Sequence, residues 1–202
     1  MTALTALALV CTLTPSPEPS SSELMVKHIL DELEGQGVST LSVRVVDYDV
    51  KRGVLTDMGD GDEWPTIRAM VLAADILVLS IPIWMGHPSS VAQQVMERLD
   101  AELSETNEQG QPIMYGKVAA VAVVGNEDGA HKVIADMMQG LNDIGFTIAA
   151  QGGTYWVGEA MQTVDFKDLD EVPDAIVSSL AGLARNAAHL AGVLRSAQYP
   201  AE

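Results

Sequence analysis

The chain has 202 residues, 48% of them hydrophobic, a single cysteine, and 28 acidic against 11 basic side chains, for a formal charge of −17. That length suits one domain with a sizeable core; no apolar run nears the roughly 20 residues of a membrane span, and one cysteine leaves neither a disulfide framework nor a cysteine-rich metal site. The single cysteine is compatible with a reducing compartment, so the expected setting is cytoplasmic, and the acidic excess repels nucleic acid phosphates and anionic lipid, so neither nucleic acid nor membrane is expected as partner.

The first apolar run, Leu4 to Cys11, has no Lys or Arg near it before Lys27. A secretory signal needs a basic start, so the run reads as a first strand, with Met1 close to the mature N-terminus. A Pro/Ser/Thr-rich stretch follows, and then Leu24, Met25, Ile29, Leu30 and Leu33 recur at helical spacing before Gly35 and Gly37. Leu41 to Val46, containing the β-branched SVRVV, predicts a second strand, Trp64 to Ala73 a helix, and DILVLSIPIW a third strand. Pro88 is read as opening the next helix, whose Val91, Ala92, Val95, Met96 and Leu99 share one face. After the hydrophilic SETNEQGQP, the run KVAAVAVVGN has the near-continuous apolarity of a strand buried on both faces of a parallel sheet, ending at Gly125. Val133, Ile134, Met137, Met138, Leu141 and Ile144 mark a fourth helix that Gly145 stops, and FTIAAQGGTYW a fifth strand with its loop. The last helix runs from about Pro173 to Arg195 with Ile176, Val177, Leu180, Leu183, Ala184, Ala187 and Leu190 on its buried side.

Five strands alternating with five helices, without an internal repeat, predict one doubly wound α/β domain over residues 1–202. Ligands of such sheets lie beyond the carboxyl ends of the strands. The loop after the first strand carries Thr12, Thr14, Ser20, Ser21 and Ser22 ahead of a helix start. Hydroxyls and free N–H groups there suit an anion without any basic side chain, or simply cap the helix. The loop matches neither GxxxxGK[ST] nor GxGxxG, which points to a monophosphate rather than a triphosphate or a dinucleotide. After the third strand come Pro82, Ile83, Trp84, Met85 and Gly86, where an aromatic and exposed N–H groups could border a planar ring. After the fourth come Gly125, Asn126, Glu127, Asp128 and Gly129, and after the fifth Tyr155 and Trp156 lie between glycines.

In this order, the Ser/Thr loop, PIWMGHPSS leading to QQVMERLD, and VVGNEDGAH make the chain similar to the flavodoxin-like NAD(P)H-dependent FMN reductase family, over nearly its whole length. Pro82, Trp84, Gly86, Ser89, Glu97 and Arg98 fit the family's second-loop pattern, whereas Cys11-Thr12 and Ser21-Ser22 stand where the first loop usually reads Gly-Ser and Asn-Thr. The resemblance implies a doubly wound five-stranded parallel sheet in the order 2-1-3-4-5 and FMN as cofactor, with NAD(P)H as electron donor. It also implies a small-molecule electron acceptor such as a quinone, and a homo-oligomer, dimer or tetramer. By the same resemblance Thr12, Thr14, Ser20, Ser21 and Ser22 hold the FMN phosphate, Pro82 to Gly86 line the ring, and Gly125 to Gly129 border its other side, with Tyr155 and Trp156 nearby. No iron–sulfur centre is implied, because the branch members that carry one have cysteine clusters. Two rival readings stand beside the enzyme: a one-electron carrier docking onto protein partners, and a flavin-free binding module.

His87 and His131 read as surface or capping residues rather than proton donors, and two His without a third ligand do not define a metal site. TDMGDGDE, residues 56–63, lacks the twelfth-position Glu of a calcium loop and is expected to be solvated.

Overall fold

The protein is described here by a computed structural model covering residues 3–159 and 162–200. Its strands are β1 (Thr5–Val10), β2 (Ser39–Arg44), β3 (Ile76–Trp84), β4 (His87–Pro88), β5 (Val118–Val124) and β6 (Thr147–Trp156); its α-helices are α1 (Ser21–Gly35), α2 (Trp64–Ala73), α3 (Ser90–Leu99), α4 (Ala130–Asp143) and α5 (Asp174–Ser196). The long strands run parallel in the order β2-β1-β3-β5-β6, which is the expected flavodoxin-like order once the two-residue β4, antiparallel to the end of β3, is set aside.

The period of two in a strand sorts the apolar residues onto two faces. Leu7 and Leu9 of β1 with Ala119, Val121 and Val123 of β5 join Trp64, Ile67, Val95, Leu99, Val133 and Leu141 from α2, α3 and α4. Ala6, Ala8 and Val10 with Val118, Ala120 and Val124 meet Met25, Ile29, Leu33, Leu183 and Ala187 from α1 and α5. Every residue of β5 is buried, as a strand covered by helices on both sides requires.

Three local readings are corrected. Pro88 does not open α3: it pairs with Ile83 in β4, and Ser89 is the N-cap, its hydroxyl accepting from the Ala92 N–H at 3.2 Å. Pro lacks an N–H, so it suits a short edge strand as well as a helix start. β2 ends at Arg44, and Val45–Asp47 form one 3-10 turn instead of continuing the strand. Nor is the 56–63 segment wholly solvated, because the Asp62 side chain is buried against Arg98. In β6 the pairing slips: Ile148 opposes Ala119 but Gly153 opposes Val121, and Gln151 within the bulge has φ +58.

Candidate functional site

A cleft of about 300 Å3 opens beyond the carboxyl ends of β1, β3 and β5. Thr12, Thr14, Ser20, Ser21 and Ser22 line one end of it, and Pro82, Ile83, Trp84, Gly125, Asn126 and Glu127 the remainder, together with Pro19, Val124, Asp165, Phe166 and Lys167.

The hydroxyl end is built by side chains that hold the loop from outside. Arg44, buried at the end of β2, donates from Nη1 to the Thr14 carbonyl at 3.1 Å and the Glu18 carbonyl at 2.8 Å, and from Nη2 to the Glu23 carboxylate. Asp47 accepts from the Ser16 N–H at 2.8 Å and its hydroxyl at 2.6 Å, and these bonds hold the Asp47 carboxyl below its ordinary range. Ser20 caps α1, accepting from the Glu23 N–H at 3.4 Å. The Ser80 hydroxyl donates to the Ser22 carbonyl at 2.6 Å and so ties the helix start to β3. The first-turn N–H groups of α1 have no carbonyl partner within the helix and lie under the positive end of its dipole. Ser22 is buried and Ser21 half-buried, so the two adjacent hydroxyls differ in access.

At the other end β3 runs past the sheet and turns back through Met85 and Gly86, with φ +52 and +73, a two-residue hairpin turn. Trp84 is 54% exposed and Met85 87% exposed. Two glycines let the next loop approach this hairpin: a Cβ on Gly125 would lie 3.1 Å from the Ile83 Cβ, and one on Gly129 2.8 Å from the Gly86 Cα. Glu127 Oε2 accepts from the Gly86 N–H at 3.2 Å. Met85, Gly86, Asp128 and Gly129 therefore shape the hairpin and its contact but are not cleft-lining residues.

The two aromatics of β6 part company, as alternation along a strand demands. Trp156 is buried against Phe166 with ring centroids 5.6 Å apart, in the core under α1 and α5, and Tyr155 faces the other side, edge-on to His131 at 4.9 Å. Neither lines the cleft. His87 lies on the rim, its Nδ1 3.4 Å from the Lys132 Nζ. Cys11, beneath the loop, is fully buried, and burial pushes its thiol up to about 12, so it stays protonated and is no nucleophile.

Asp165, Phe166 and Lys167 were not among the expected residues. Asp165 precedes, and Phe166 and Lys167 begin, the 3-10 turn Phe166–Asp168 after β6, where no apolar periodicity signals a site. The one legible sign was a lysine amid Asp165, Asp168 and Asp170 in a chain poor in cations. Asn126 Nδ2 donates to Asp165 Oδ1 at 3.1 Å, and the Lys167 N–H to the Ser21 hydroxyl at 3.2 Å, so this turn clasps both loops.

A doubly wound sheet with hydrogen-bond donors crowded at one end of the cleft and an aromatic at the other defines a mononucleotide-binding flavodoxin-like protein. Residues 6–162 match the NADPH-dependent FMN reductase family, and the chain belongs to that family. It is 39% identical over 161 residues to the divalent metal cation transporter MntH of Mycobacterium bovis, covering 78% of this chain and 24% of that protein. It is 32% identical over 167 residues to 8-demethyl-8-aminoriboflavin-5'-phosphate synthase of Streptomyces davaonensis, covering 78% and 65%. The chain thus spans about a quarter of the first relative and just under two thirds of the second. The crystal structure of RosB with bound 8-demethyl-8-formylriboflavin-5'-phosphate superposes with a TM-score of 0.88 at 29% identity, over 98% of this chain and 82% of that one. FerB, an NAD(P)H:acceptor oxidoreductase of Paracoccus denitrificans, shares the fold at a TM-score of 0.66 and 14% identity, over 98% of this chain and 100% of that one.

FMN and NAD(P)H are the cofactors this membership carries, and the donor set fits the first of them. Several hydroxyls and the N–H groups of Ser21 and Ser22 at the start of α1 suit a phosphomonoester, while the half-exposed Trp84 suits a flat ring.

Proposed function

We propose that the chain is an FMN-dependent NAD(P)H oxidoreductase that reduces a small acceptor, such as a quinone, by two-electron transfer. The observation that carries this reading is the cleft itself, with phosphate-type donors at the α1 end and the half-exposed Trp84 left accessible at the other. Bound there, FMN would supply the two-electron redox chemistry between NAD(P)H and the acceptor. Thr12, Thr14, Ser20 and Ser21 would anchor the phosphate; Ile83, Trp84, Gly125 and Asn126 would orient the ring. The dipole of α1 favours negative charge at the phosphate end without a proton transfer. The exposed Met85 at the hairpin tip, outside the cleft, further suits a face covered by a second copy of the chain, so we include a homo-oligomer in the proposal.

Rapid mixing of FMN-loaded protein with NADH and, separately, NADPH under anaerobic conditions tests the reading. Bleaching of the flavin band by at least one donor, followed by its return on adding a quinone without any protein partner, is expected. Bleaching by neither donor would instead favour the electron-carrier reading.

The synthase and RosB support a second reading, in which the flavin phosphate is the substrate and is altered at its ring methyl. Replacing a methyl carbon by nitrogen through a formyl stage needs an oxidant, departure of that carbon as an oxidised one-carbon product, and an amino donor. Incubation of FMN with the protein, dioxygen and an amino acid mixture separates the two: unchanged FMN by mass spectrometry supports the reductase, and its conversion to an amino derivative supports the synthase-like activity.

A further inference from the structure

The hydroxyls of the cleft leave one electrostatic problem unsolved. Among the described residues that line it, the charged side chains are Glu127, Asp165 and Lys167, two anions and one cation. A phosphomonoester brings about −1.5 to −2 charges at neutral pH. Helix N–H groups and hydroxyls lower the cost of holding it, but they carry no net charge to set against the two carboxylates.

Lys167 is positioned to supply that charge. Its backbone N–H donates to the Ser21 hydroxyl at 3.2 Å, which brings this turn onto the first turn of α1. Phe166 fixes the turn from below: it is 1% exposed and packs between Trp156 and His28. The Lys167 Nζ lies 2.6 Å from Asp168 Oδ2 and 3.6 Å from Asp165 Oδ2, with the side chain still 30% exposed. Donation to the Asp168 carboxylate raises the ammonium's pKa, so it stays charged throughout the neutral range. An ammonium has three donors. It can keep Asp168 and exchange the longer contact to Asp165 for a phosphate oxygen.

We infer that Lys167 is the counter-charge for the terminal phosphate of the flavin and the residue that makes this site prefer FMN to riboflavin, with Asp165 competing for it. This rests on the flavin reading above. A charge-assisted bond at a partly exposed position predicts an effect of about tenfold or more on FMN and none on riboflavin, which lacks the phosphate.

Flavin fluorescence titration of the full chain, stripped of flavin, tests it with FMN and riboflavin as probes. Lys167→Gln is expected to weaken FMN binding about tenfold or more, to leave riboflavin binding unchanged, and to flatten the salt dependence of FMN affinity. Lys167→Arg should retain FMN affinity within a few-fold, and Asp165→Asn should raise it by freeing the lysine. Unchanged FMN affinity in Lys167→Gln, or an equal loss for both flavins, overturns the inference while leaving the flavin reading standing. Failure of the parent chain to bind either flavin overturns both. Should Lys167→Gln not fold, Asp165→Asn decides: unchanged or weaker FMN binding in that variant overturns the competition on which the inference depends.

Discussion

Arg98 shows how much a buried residue outside the cleft contributes to it. Its guanidinium and the Asp62 carboxylate have no exposed side-chain surface, and they pair through two bonds of 3.0 and 2.8 Å. The remaining donors reach the carbonyls of Leu55 and Lys51, and the guanidinium lies over the Trp64 ring at 5.5 Å. One side chain thus ties α3, which follows the ring hairpin, to the long 45–63 connection. Burial pushes the Asp62 carboxyl up, but Arg98 and the N–H groups of Met58, Lys51 and Trp64 together outweigh it and hold the group well below the usual carboxylate range. A carboxyl depressed on folding stabilises the native state above its unfolded pKa, about 3.9, and that contribution is lost as pH falls toward the folded value. Arg98→Met should therefore cost about 3–5 kcal/mol at neutral pH in urea unfolding, because it leaves Asp62 buried and unpaired. Adding Asp62→Asn should recover much of that loss and reduce the acid sensitivity of stability below about pH 4. An Arg98→Met midpoint equal to the parent's would show that the pair contributes nothing.

Among the elements, the close approach of two loops sets the ring end of the cleft, and glycine makes it possible. Gly129 has φ +118, and an added Cβ would meet backbone atoms of Gly86, which cannot swing aside as a side-chain tip would. Gly129→Ala should cost about 1–3 kcal/mol and should also weaken flavin binding, since the strain is relieved by moving the hairpin. Gly37→Ala is the control: its φ is +79, but nothing lies within 4 Å of the added Cβ. That variant should lose about 1 kcal/mol and bind flavin like the parent. Equal flavin affinity in the two variants would mean that the Gly86–Gly129 contact does not govern the ring end.

These elements also show what a sequence carries plainly. β1, β3 and β5 are legible because strands covered on both faces must be apolar without interruption, and α1 because its apolar residues keep helical spacing. The hairpin was not legible: Pro88 suits both a helix start and an edge strand, and only pairing with Ile83 decides between them. Tyr155 and Trp156 looked alike between glycines, yet strand alternation sends one into the core. The 165–168 turn has no periodic signal, because its place at the cleft comes from Phe166 packing against residues distant in the chain. The hydroxyl loop was readable by composition, whereas its shape depends on Arg44, which local sequence assigns only to β2.

At the scale of the whole molecule, charge decides how an anionic donor arrives. With 28 acidic and 11 basic side chains, the formal charge of −17 repels a dinucleotide over most of the surface. The cations near the ring end are few: Lys132 is paired with Asp136 at 2.6 Å and stands beside His87 on the rim. Repulsion between exposed charges is screened within a Debye length of about 10 Å at 0.1 M salt. For the FMN-loaded chain, kcat/KM for NAD(P)H should accordingly rise as ionic strength increases from about 0.01 to 0.1 M. The rise should be steeper for NADPH than for NADH, because its extra phosphate adds about −1.5 to −2 charges. Steady-state rates with a neutral quinone as acceptor isolate the donor's contribution. If kcat/KM falls with salt for NADPH and stays flat for NADH, the Lys132–His87 rim attracts that phosphate strongly enough to override the field of the molecule. If salt moves neither, the donor approaches along a path that the net charge does not reach.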